Sequence, residues 1–435
     1  MERERKRILI LGGGFGGFFT AVHLERLLRR REDVEILLLA RENYFFFTPF
    51  ATEVVGGLIE VRHVVESIRA IFVRRKGCRF KACRIEEIDL EGRVVRTSQG
   101  EVSWDILVIA LGAATNFFGM REIERHALTL GNLPDAMRVK NRIIDHFERA
   151  EWMTDPEERR RHLSFCVVGA GPTGVELVTE VHDMIFEDLV FQYPGIDPAE
   201  IQLFLVEASP KILGAMPEVL IEKSMRTLAR KRIEILLGRA VTAYDGRRAH
   251  LSTGETIETA TLVWTAGIRA NPLLEHLPVE RDSLGRIRVT PFLEVPGHPG
   301  VFALGDNAHV PGQGGKPLPP EAQVALQQAK YLARSLTARL AGKGCKPFRF
   351  FRYGRLVSLG SRYAVVSILG FDLWGFFAWW IWRTVYLVRL HSLRARLRVM
   401  IDWTIDLFYP RQTVRFEIPE KGSEAGVAFR KEGVE

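Results

Sequence analysis

The feature of this sequence that most constrains its fold is a unit that occurs twice: a short apolar strand, a glycine-rich turn and a helical pattern. In the first copy residues 8–11 lead into the turn GGGFGG, and in the second residues 165–168 lead into GAGPTG. Such a turn bends tightly, lets the backbone approach a pyrophosphate and lets the following helix pack close to its strand. The repeat therefore predicts two nucleotide-binding modules.

The three glycines of each turn are the first candidate cofactor-binding residues. They share the G-x-G-x-x-G spacing and are Gly12, Gly14 and Gly17 in the first copy and Gly169, Gly171 and Gly174 in the second. Unpaired N–H groups and the dipole at the start of the following helix favour a phosphate there. One such turn also occurs in ordinary strand-to-helix connections, but two copies in the same context favour two dinucleotides. We expect a tightly bound FAD and an exchanging NADH.

The segments that follow each turn alternate between apolar strands and helical patterns. Residues 35–39 and 105–110 follow the first turn, and residues 201–206 and 262–265 follow the second. The strand at 105–110 ends close to Gly112, which is a further candidate cofactor contact. Strands that alternate with helices form parallel, doubly wound sheets. The predicted fold class is therefore α/β with two Rossmann-like dinucleotide-binding domains.

An acidic residue at the end of the second strand of such a module binds the ribose hydroxyls of the adenosine. Glu207 ends the strand FLVE of the second module and would repel a 2′-phosphate, so we predict NADH rather than NADPH. A solvent-facing glutamate is the alternative interpretation. In the first module Ala40 stands where the acid is expected, followed by Arg41 and Glu42. Either Glu42 substitutes, or the FAD ribose loses a charge-assisted hydrogen bond worth about 1.5 to 3 kcal/mol.

The cysteines and the N-terminus bear on the cellular compartment. The four cysteines form no C-x-x-C pair, so the sequence indicates neither a zinc site nor a disulfide framework, and we expect no metal. This use of cysteine fits a reducing compartment. The N-terminal segment MERERKRILILGGG has an apolar run too short for the core of a signal peptide. We therefore expect the protein on the cytoplasmic side.

The formal charge of +8 is unevenly distributed, and its location indicates the partner better than its sum. Five arginines lie within residues 383–398, a stretch without acids, beside the most aromatic segment of the chain. This combination favours a membrane surface with anionic lipids over nucleic acid. No segment reaches the roughly 18 uncharged apolar residues of a spanning helix. The nearest, residues 373–390, is interrupted by Arg383 and Arg389.

We therefore predict monotopic or peripheral attachment to the cytoplasmic face of the inner or plasma membrane through about residues 372–398. The expected interfacial aromatics are Phe376, Phe377, Trp379, Trp380 and Trp382. A buried aromatic helix at a homodimer interface is the alternative.

The length of 435 residues is too great for one ordinary core and favours about three domains. We expect the NADH-binding domain to be inserted in the FAD-binding domain and a membrane-associating helical region to follow. The predicted boundaries are residues 1–130 and 296–345 for the two parts of the FAD-binding domain, 131–295 for the NADH-binding domain, 346–418 for the membrane-associating region and 419–435 for a flexible tail.

Motifs beyond the glycine turns resemble one family. They include, in chain order, NYFFFTPF, ALGAATNFFG, GVELVTE, WTAGIRANPLL, VFALGDNA, AQVALQQA, FAWWIWR and RLRVMIDW. From about Lys6 to Ile418 the chain is similar to the type II NADH dehydrogenases, single-subunit NADH:quinone oxidoreductases of the two-dinucleotide-binding-domain flavoprotein superfamily. The most specific motif, AQVALQQA at residues 322–329, matches the family's A-Q-x-A-x-Q quinone-site pattern. The resemblance implies FAD-dependent reduction of a membrane quinone by NADH.

The resemblance also assigns roles around the flavin and the quinone. It implies that Gln323 and Gln327 face the quinone beside the flavin ring, with residues 322–329 forming the quinone-site helix. The spacing of four places both amides on one side of a helix, which is equally typical of an ordinary polar face. The resemblance further implies that Gly305 and Asp306 hold the ribityl and phosphate part of FAD.

On the nicotinamide side, the resemblance implies that Glu176 assists proton traffic and that Gly267 lines the path of the nicotinamide. An acid in the first turn of a helix is also favoured by the helix dipole alone. Two positions depart from the family pattern: Ala40 replaces the usual acid, and Thr48 stands where a glutamine is common before Pro49. These departures concern the contacts of FAD more than the class of reaction.

Three rival functions share this fold or its surface. A disulfide reductase would need a redox pair, but Cys78 and Cys83 are five residues apart and would face opposite sides of a strand. A sulfide:quinone oxidoreductase would need redox cysteines at the flavin, whereas Cys166 falls in a buried strand and Cys345 in a turn. A non-catalytic, NADH-sensing membrane-surface protein stays open because a fold alone does not establish turnover.

Overall fold

The structure is a computed structural model that describes residues 5–73, 77–312, 315–406, 408–411 and 413–416. The predicted flexible tail at 419–435 lies outside the described residues.

The strands of the described chain lie between Lys6 and Gly375. Those before residue 131 are β1 (Lys6–Leu11), β2 (Val34–Ala40), β3 (Tyr44–Phe46), β4 (Val65–Ser67), β5 (Cys78–Ala82), β6 (Ile85–Asp89), β7 (Val94–Thr97), β8 (Gly100–Ser103), β9 (Ile106–Ile109), β10 (Ala113–Thr115) and β11 (Leu128–Thr129). The next are β12 (Ser164–Val168), β13 (Gln202–Glu207), β14 (Glu234–Leu237), β15 (Val241–Tyr244), β16 (Arg248–Leu251), β17 (Thr256–Glu258), β18 (Thr261–Trp264), β19 (Ile268–Ala270) and β20 (Ile287–Arg288). The last are β21 (Val301–Ala303), β22 (Ala308–His309), β23 (Gly354–Ser358), β24 (Ala364–Ile368) and β25 (Phe371–Gly375).

The helices range from single turns to five turns or more. They are α1 (Phe15–Leu28), α2 (Ala51–Val55), α3 (Ile68–Val73), α4 (Arg121–His126), α5 (Leu133–Trp152), α6 (Pro156–His162), α7 (Pro172–Asp183), α8 (Val190–Gln192), α9 (Glu218–Arg230), α10 (Ala322–Leu340), α11 (Phe376–Arg389) and α12 (Leu393–Ile405). A π-helical segment, Met184–Leu189, joins α7 to α8.

The first parallel sheet has the strand order β21-β9-β1-β2-β5. Its central strands are continuous apolar runs, and residues 8–11 of β1 are fully buried. Such runs are typical of a parallel sheet that is covered on both faces. Strand β21 joins this sheet from beyond the second sheet in the chain, so the second domain is inserted in the first.

The second parallel sheet has the order β11-β18-β12-β13-β14 and lies within the inserted segment. Its first helix, α7, follows β12 through the second glycine turn, just as α1 follows β1 through the first. Both sheets therefore have the strand-turn-helix arrangement that the repeat predicts. The predicted α/β class with two Rossmann-like domains, one inserted in the other, is confirmed.

The C-terminal part begins with the antiparallel sheet β23-β24-β25 and continues into α11 and α12. Trp382 of α11 and Trp403 of α12 are buried, which anchors both helices to the rest of the molecule. Within the described ranges, none of the helices combines the length and the apolarity needed to cross a bilayer.

Candidate active site

The first glycine turn has a backbone that only glycine allows. Gly12 has a φ of +107°, and a Cβ added there would lie 2.1 Å from the carbonyl oxygen of Ala110. A Cβ on Gly17 would lie 1.9 Å from the carbonyl oxygen of Gly12, so α1 packs closely on the turn. Gly14 is the N-cap of α1, and a Cβ there would meet nothing within 4 Å. The turn thus leaves room for a phosphate at the start of a helix.

The second turn repeats this arrangement. Gly169 has a φ of +100°, and a Cβ on Gly174 would lie 1.8 Å from the carbonyl oxygen of Gly169. Gly171 is the N-cap of α7 and also faces open space. Both turns therefore fit the pyrophosphate of a dinucleotide.

The carboxylate of Glu207 lies directly beside the second turn. Its Oε2 accepts a hydrogen bond from the backbone N–H of Ala170 at 2.7 Å, and its Oε1 accepts one from Ser209 at 2.8 Å. These two donors hold the carboxylate at the end of β13. Each oxygen keeps further lone pairs that can accept from ribose hydroxyls, while the negative charge opposes a 2′-phosphate.

A cavity of 520 Å³ lies between the two domains, at the carboxyl ends of strands from both parallel sheets. This edge is where open α/β sheets bind their ligands. The predicted site residues that line this central cavity are Gly14, Thr48, Gly112, Glu176, Gly267, Gly305 and Asp306. Leu356 of β23 and Tyr386 of α11 also line it, so the C-terminal part completes the wall.

The Gly305 and Asp306 turn is held from two sides by residues that sequence reasoning missed. Gln328 is 1% exposed, and its Oε1 accepts a hydrogen bond from the backbone N–H of Gly305 at 2.7 Å. Asn307 accepts through its Oδ1 from the N–H of Gly112 at 3.0 Å. Burial raises the pKa of Asp306 to about 6. The motif AQVALQQA contained the signal for Gln328, because its last glutamine lies on the inner side of α10.

Glu176 is a buried acid that faces the central cavity from the first turns of α7. Its Oε1 accepts a hydrogen bond from the backbone N–H of Ser358 at 3.0 Å. Burial raises the pKa of Glu176 to about 8, since removal from water disfavours the ionised form more than the Ser358 N–H favours it. The carboxyl group therefore holds a proton at neutral pH.

The amide groups of Gln323 and Gln327 lie together on α10, as their spacing predicts, and both bind the backbone of residues 351–354. Gln323 donates to the carbonyl oxygen of Gly354 at 3.2 Å and accepts from the N–H of Tyr353 at 2.7 Å. Gln327 donates to the carbonyl oxygen of Phe351 at 2.7 Å and accepts from its N–H at 3.1 Å. Both amides thus tie α10 to the segment that enters β23, whose Leu356 lines the central cavity.

The first module lacks an acid at the position equivalent to Glu207. Ala40 is buried at the end of β2, and a Cβ on Gly13 would lie 2.9 Å from its methyl group. Glu42 forms an ion pair with Arg41 at 2.7 Å and does not line the central cavity. The carboxylate of Glu42 therefore has a neighbouring arginine as its partner.

The four cysteines, all described, lie away from the central cavity, and none is in a disulfide bond. Cys166 is fully enclosed in β12, where burial raises the pKa of its thiol to about 12. Such a thiol stays protonated and is a poor nucleophile. Across the described ranges, no group of three histidine, cysteine or acidic side chains could hold a metal ion.

Comparison with known proteins places this geometry in a family. Residues 6–329 match the family model of the pyridine nucleotide-disulphide oxidoreductases, and residues 353–412 match that of the NDH2 C-terminal domain. The chain is 33% identical to the type II NADH:quinone oxidoreductase Ndh of Mycobacterium tuberculosis, over 94% of this chain and 89% of that protein. This chain belongs to the type II NADH dehydrogenases. The resemblance inferred from the motifs is thereby confirmed.

Further relatives extend the comparison of this type II NADH dehydrogenase. The type II NADH:quinone oxidoreductase of Staphylococcus aureus is 30% identical over 85% of this chain and 91% of its own length. The structure of NDH2 from Plasmodium falciparum in complex with NADH has the same fold, with a TM-score of 0.88, 21% identity and coverage of 94% of this chain and 100% of that chain. The sulfide:quinone oxidoreductase of Aquifex aeolicus has a TM-score of 0.71 at 15% identity, covering 93% of this chain and 95% of that chain.

Proposed function

We propose that this chain transfers electrons from NADH through bound FAD to a membrane quinone, with all three molecules meeting at the central cavity. The observation that carries the proposal is that one cavity is lined by the start of α1, the start of α7 and the C-terminal part. FAD supplies the two-electron chemistry when bound. The chain's own residues bind and orient the reactants and handle the proton.

The two glycine turns divide the cofactor contacts between them. We assign FAD to Gly12, Gly14, Gly17, Thr48, Gly112, Gly305 and Asp306, and NADH to Gly169, Gly171, Gly174, Glu207 and Gly267. Glu42, the acid that the sequence offered in place of Ala40, is left out of the proposed FAD contacts because it is paired with Arg41. The absence of an acid at Ala40 leaves the adenosine ribose to water and backbone groups.

At the quinone end we propose that Gln323 donates a hydrogen bond to a quinone carbonyl. Gln327 mainly holds in place the segment that enters β23. Among its described contacts, Gln323 uses one of the two N–H bonds of its amide, so the second can serve a ligand. A neutral amide does this without bringing a charge into an apolar channel, which would be costly. Glu176, which lines the central cavity and is protonated at neutral pH, is the proposed proton donor.

The C-terminal helices supply the proposed membrane surface. Phe377 and Trp380 of α11 are 80% and 58% exposed, and α12 adds further exposed apolar side chains at Leu397 and Ile401. Two of the aromatics predicted to be interfacial, Trp379 and Trp382, are instead buried. Exposed apolar groups beside arginines favour insertion among anionic lipid headgroups.

Arg383 also differs from its expected role. Its guanidinium lies 3.8 Å from the ring centre of Trp379 and 4.5 Å from that of Trp403, so it is enclosed rather than turned to headgroups. Arg394, which is exposed on α12, is the better candidate for lipid contact. We propose attachment to the cytoplasmic face of the membrane; a second copy of the chain is the other occupant that could cover this surface.

A spectroscopic experiment tests the reaction. Purified protein should show flavin absorbance that bleaches with NADH under anaerobic conditions and recovers when a short-chain quinone is added. Bleaching without recovery would remove quinone as the acceptor. Bleaching with sulfide but not with NADH would favour the sulfide:quinone oxidoreductase alternative.

A further inference from the structure

A second cavity of 470 Å³ lies between the inserted domain and the C-terminal helices. It shares no lining residue with the central cavity. Its charged lining residues are Glu53, Glu180, Glu187, Asp188, Asp406, Arg362, Arg383 and Arg411. This acidic cavity therefore brings together carboxyl groups from α2, α7, the π-helical segment and the end of α12.

The helix α7 connects the two cavities. Glu176 and Glu180 are four residues apart, so they are neighbours on one face of the helix. Glu176 lines the central cavity, whereas Glu180 lines the acidic cavity one turn further along. The helix then continues as the π-helical segment Met184–Leu189, which contributes the exposed Glu187 and the buried Asp188 to the lining of the acidic cavity. Single turns of π-helix are often found at functional sites.

The short helix α2 provides a second connection. Ala51 and Thr52 line the central cavity, and the next residue, Glu53, lines the acidic cavity. Glu53 is buried, and its Oε2 accepts a hydrogen bond from the indole N–H of Trp403 at 3.0 Å. One turn of α7 and one turn of α2 therefore form the partition between the cavities.

Two carboxylate oxygens in the acidic cavity have no hydrogen-bond partner among the described residues, Glu180 Oε2 and Asp188 Oδ2. The nearest cation is Arg411, whose Nη1 lies 4.0 Å from Glu180 and whose Nε lies 3.5 Å from Asp188. A buried polar oxygen without a partner is costly unless water reaches it. A polar cavity of this size accommodates water molecules that bridge such groups.

Burial favours the protonated forms of two of these acids, Glu53 and Glu180, and the nearby arginines oppose it. Burial raises the pKa of Glu53 to about 7, although Arg383 and Arg411 oppose this shift and Asp406 adds to it. Burial likewise raises the pKa of Glu180; Glu53 and Asp183 add to the shift, and Arg411 and Lys231 oppose it. A group such as Glu53, which exchanges a proton near neutral pH, is suited to proton transfer.

We propose that the acidic cavity is the entry route for the proton consumed in each turnover, with Glu180 and Glu53 exchanging protons between its water and Glu176. Conversion of NADH and a quinone to NAD⁺ and a quinol moves two electrons and adds two protons to the quinone. The hydrogen of NADH accounts for one proton, so the other must come from solvent. Because Glu53 and Glu180 do not touch the central cavity, they act through Glu176 as positioning and relay residues. The inference rests on the quinone reaction proposed above.

The test uses the full-length protein with bound FAD and compares Glu180→Gln, Glu53→Gln and the double variant with the wild type. Each variant keeps the size of the side chain, but its amide group cannot release and take up a proton as a carboxyl group does. Stopped-flow bleaching by NADH should be unchanged, because that half-reaction needs no proton from solvent. Reoxidation by a short-chain quinone should slow about tenfold in the double variant, less than the roughly hundredfold loss of a directly contacting acid. The loss of reoxidation rate in the double variant and its solvent deuterium isotope effect should both increase toward alkaline pH.

Matched variants separate a relay role from a structural one. Glu25→Gln removes a buried carboxyl group on α1, outside both cavities, and should leave reoxidation unchanged. Glu180→Asp retains an acid and should recover most of the rate that Glu180→Gln loses. Wild-type reoxidation in the double variant at every pH, or equal slowing of both half-reactions, would overturn the route. A wild type that NADH bleaches and quinone does not reoxidise would instead overturn the proposed function.

Discussion

The chemical behaviour of individual side chains in this molecule depends on their immediate surroundings, and Glu176 is the clearest case. The same carboxyl group would be ionised on a helix surface at neutral pH, but burial against the C-terminal part raises its pKa to about 8. Glu207 differs because its two carboxylate oxygens accept hydrogen bonds from the backbone N–H groups of Ala170 and Ser209. Two glutamates that look alike in sequence thus have different surroundings, and we propose that Glu176 holds a proton and Glu207 a ribose.

Glu176 should make stability depend on pH. The unfolded chain releases this proton near pH 4.5, whereas the folded chain holds it up to about pH 8. The folded state therefore binds more protons across this window, and stability falls as pH rises through it. We expect the melting temperature of the wild type to fall more steeply between pH 5 and pH 8 than that of Glu176→Gln. Parallel curves would show that Glu176 ionises normally in the folded protein.

Glu207 should determine the choice between NADH and NADPH. Loss of charge-assisted hydrogen bonds to the ribose costs about 1.5 to 3 kcal/mol, so Glu207→Ala should raise the KM for NADH roughly tenfold to a hundredfold. The Glu207→Ala variant should also have a smaller preference for NADH over NADPH than the wild type. Glu207→Gln keeps an acceptor for the N–H of Ala170 and separates the loss of charge from loosening of the turn. An unchanged preference in both variants would place the discrimination elsewhere.

At the scale of elements, α7 and α10 each contact two different parts of the molecule. The first turn of α7 faces the proposed NADH site, while its buried acidic face continues toward the second cavity. The helix α10 holds Gly305 through Gln328 on one side and the backbone of residues 351–354 through Gln323 and Gln327 on another. Each helix therefore couples a cofactor turn to the C-terminal part.

Substitution on α10 should affect only one half-reaction. Gln323→Leu removes the proposed donor to the quinone together with one tether to Tyr353 and Gly354. We expect slower reoxidation of the flavin by quinone and nearly unchanged reduction by NADH in stopped-flow measurements. Gln327→Leu removes the equivalent tether one turn further along and is the matched control. Equal slowing of reoxidation in both variants would indicate that the hydrogen bonds to residues 351–354, and not a contact of Gln323 with the quinone, determine the rate.

Across the whole molecule, the C-terminal part is both a wall of the site and the proposed membrane surface. Arg411 reaches back to Glu187 at 2.9 Å, and Trp382 and Trp403 pack into the core. The outer side chains of α11 and α12 remain exposed and apolar. Because Tyr386 of α11 also lines the central cavity, the same helix contributes to the site and to the proposed membrane surface.

Membrane binding should depend on the exposed aromatic side chains of α11. An exposed aromatic side chain elsewhere on the molecule should not contribute. The double variant Phe377→Glu and Trp380→Glu should stay in the supernatant when vesicles containing anionic lipid are sedimented, while the wild type binds. Trp152→Glu alters a tryptophan that is 87% exposed at the end of α5 and should bind like the wild type. Loss of dimerisation without loss of vesicle binding would assign the surface to a second copy of the chain.

The sequence alone determined the two-domain α/β fold, the family and the expected FAD and NADH. These follow from local chemistry, because a positive φ at Gly12 and the close backbone approach at Gly17 leave a readable pattern of residue type and spacing. The position of Glu207 was predicted for the same reason, since the end of a strand beside a glycine turn is a fixed place in the module. Strand limits differed from expectation by about one residue, as at β18.

Only the tertiary structure decided which side chains are enclosed and what they bind. The segment around α11 is aromatic on every side, so periodicity could not distinguish the buried Trp382 from the exposed Trp380. The amides of Gln323 and Gln327 bind a backbone segment that no spacing rule predicts. Glu53, Glu180 and Arg411 come from distant parts of the chain, and their shared cavity arises because the C-terminal part folds back over α2 and α7. Burial and partnership depend on packing between distant segments, and that information is absent from any local pattern.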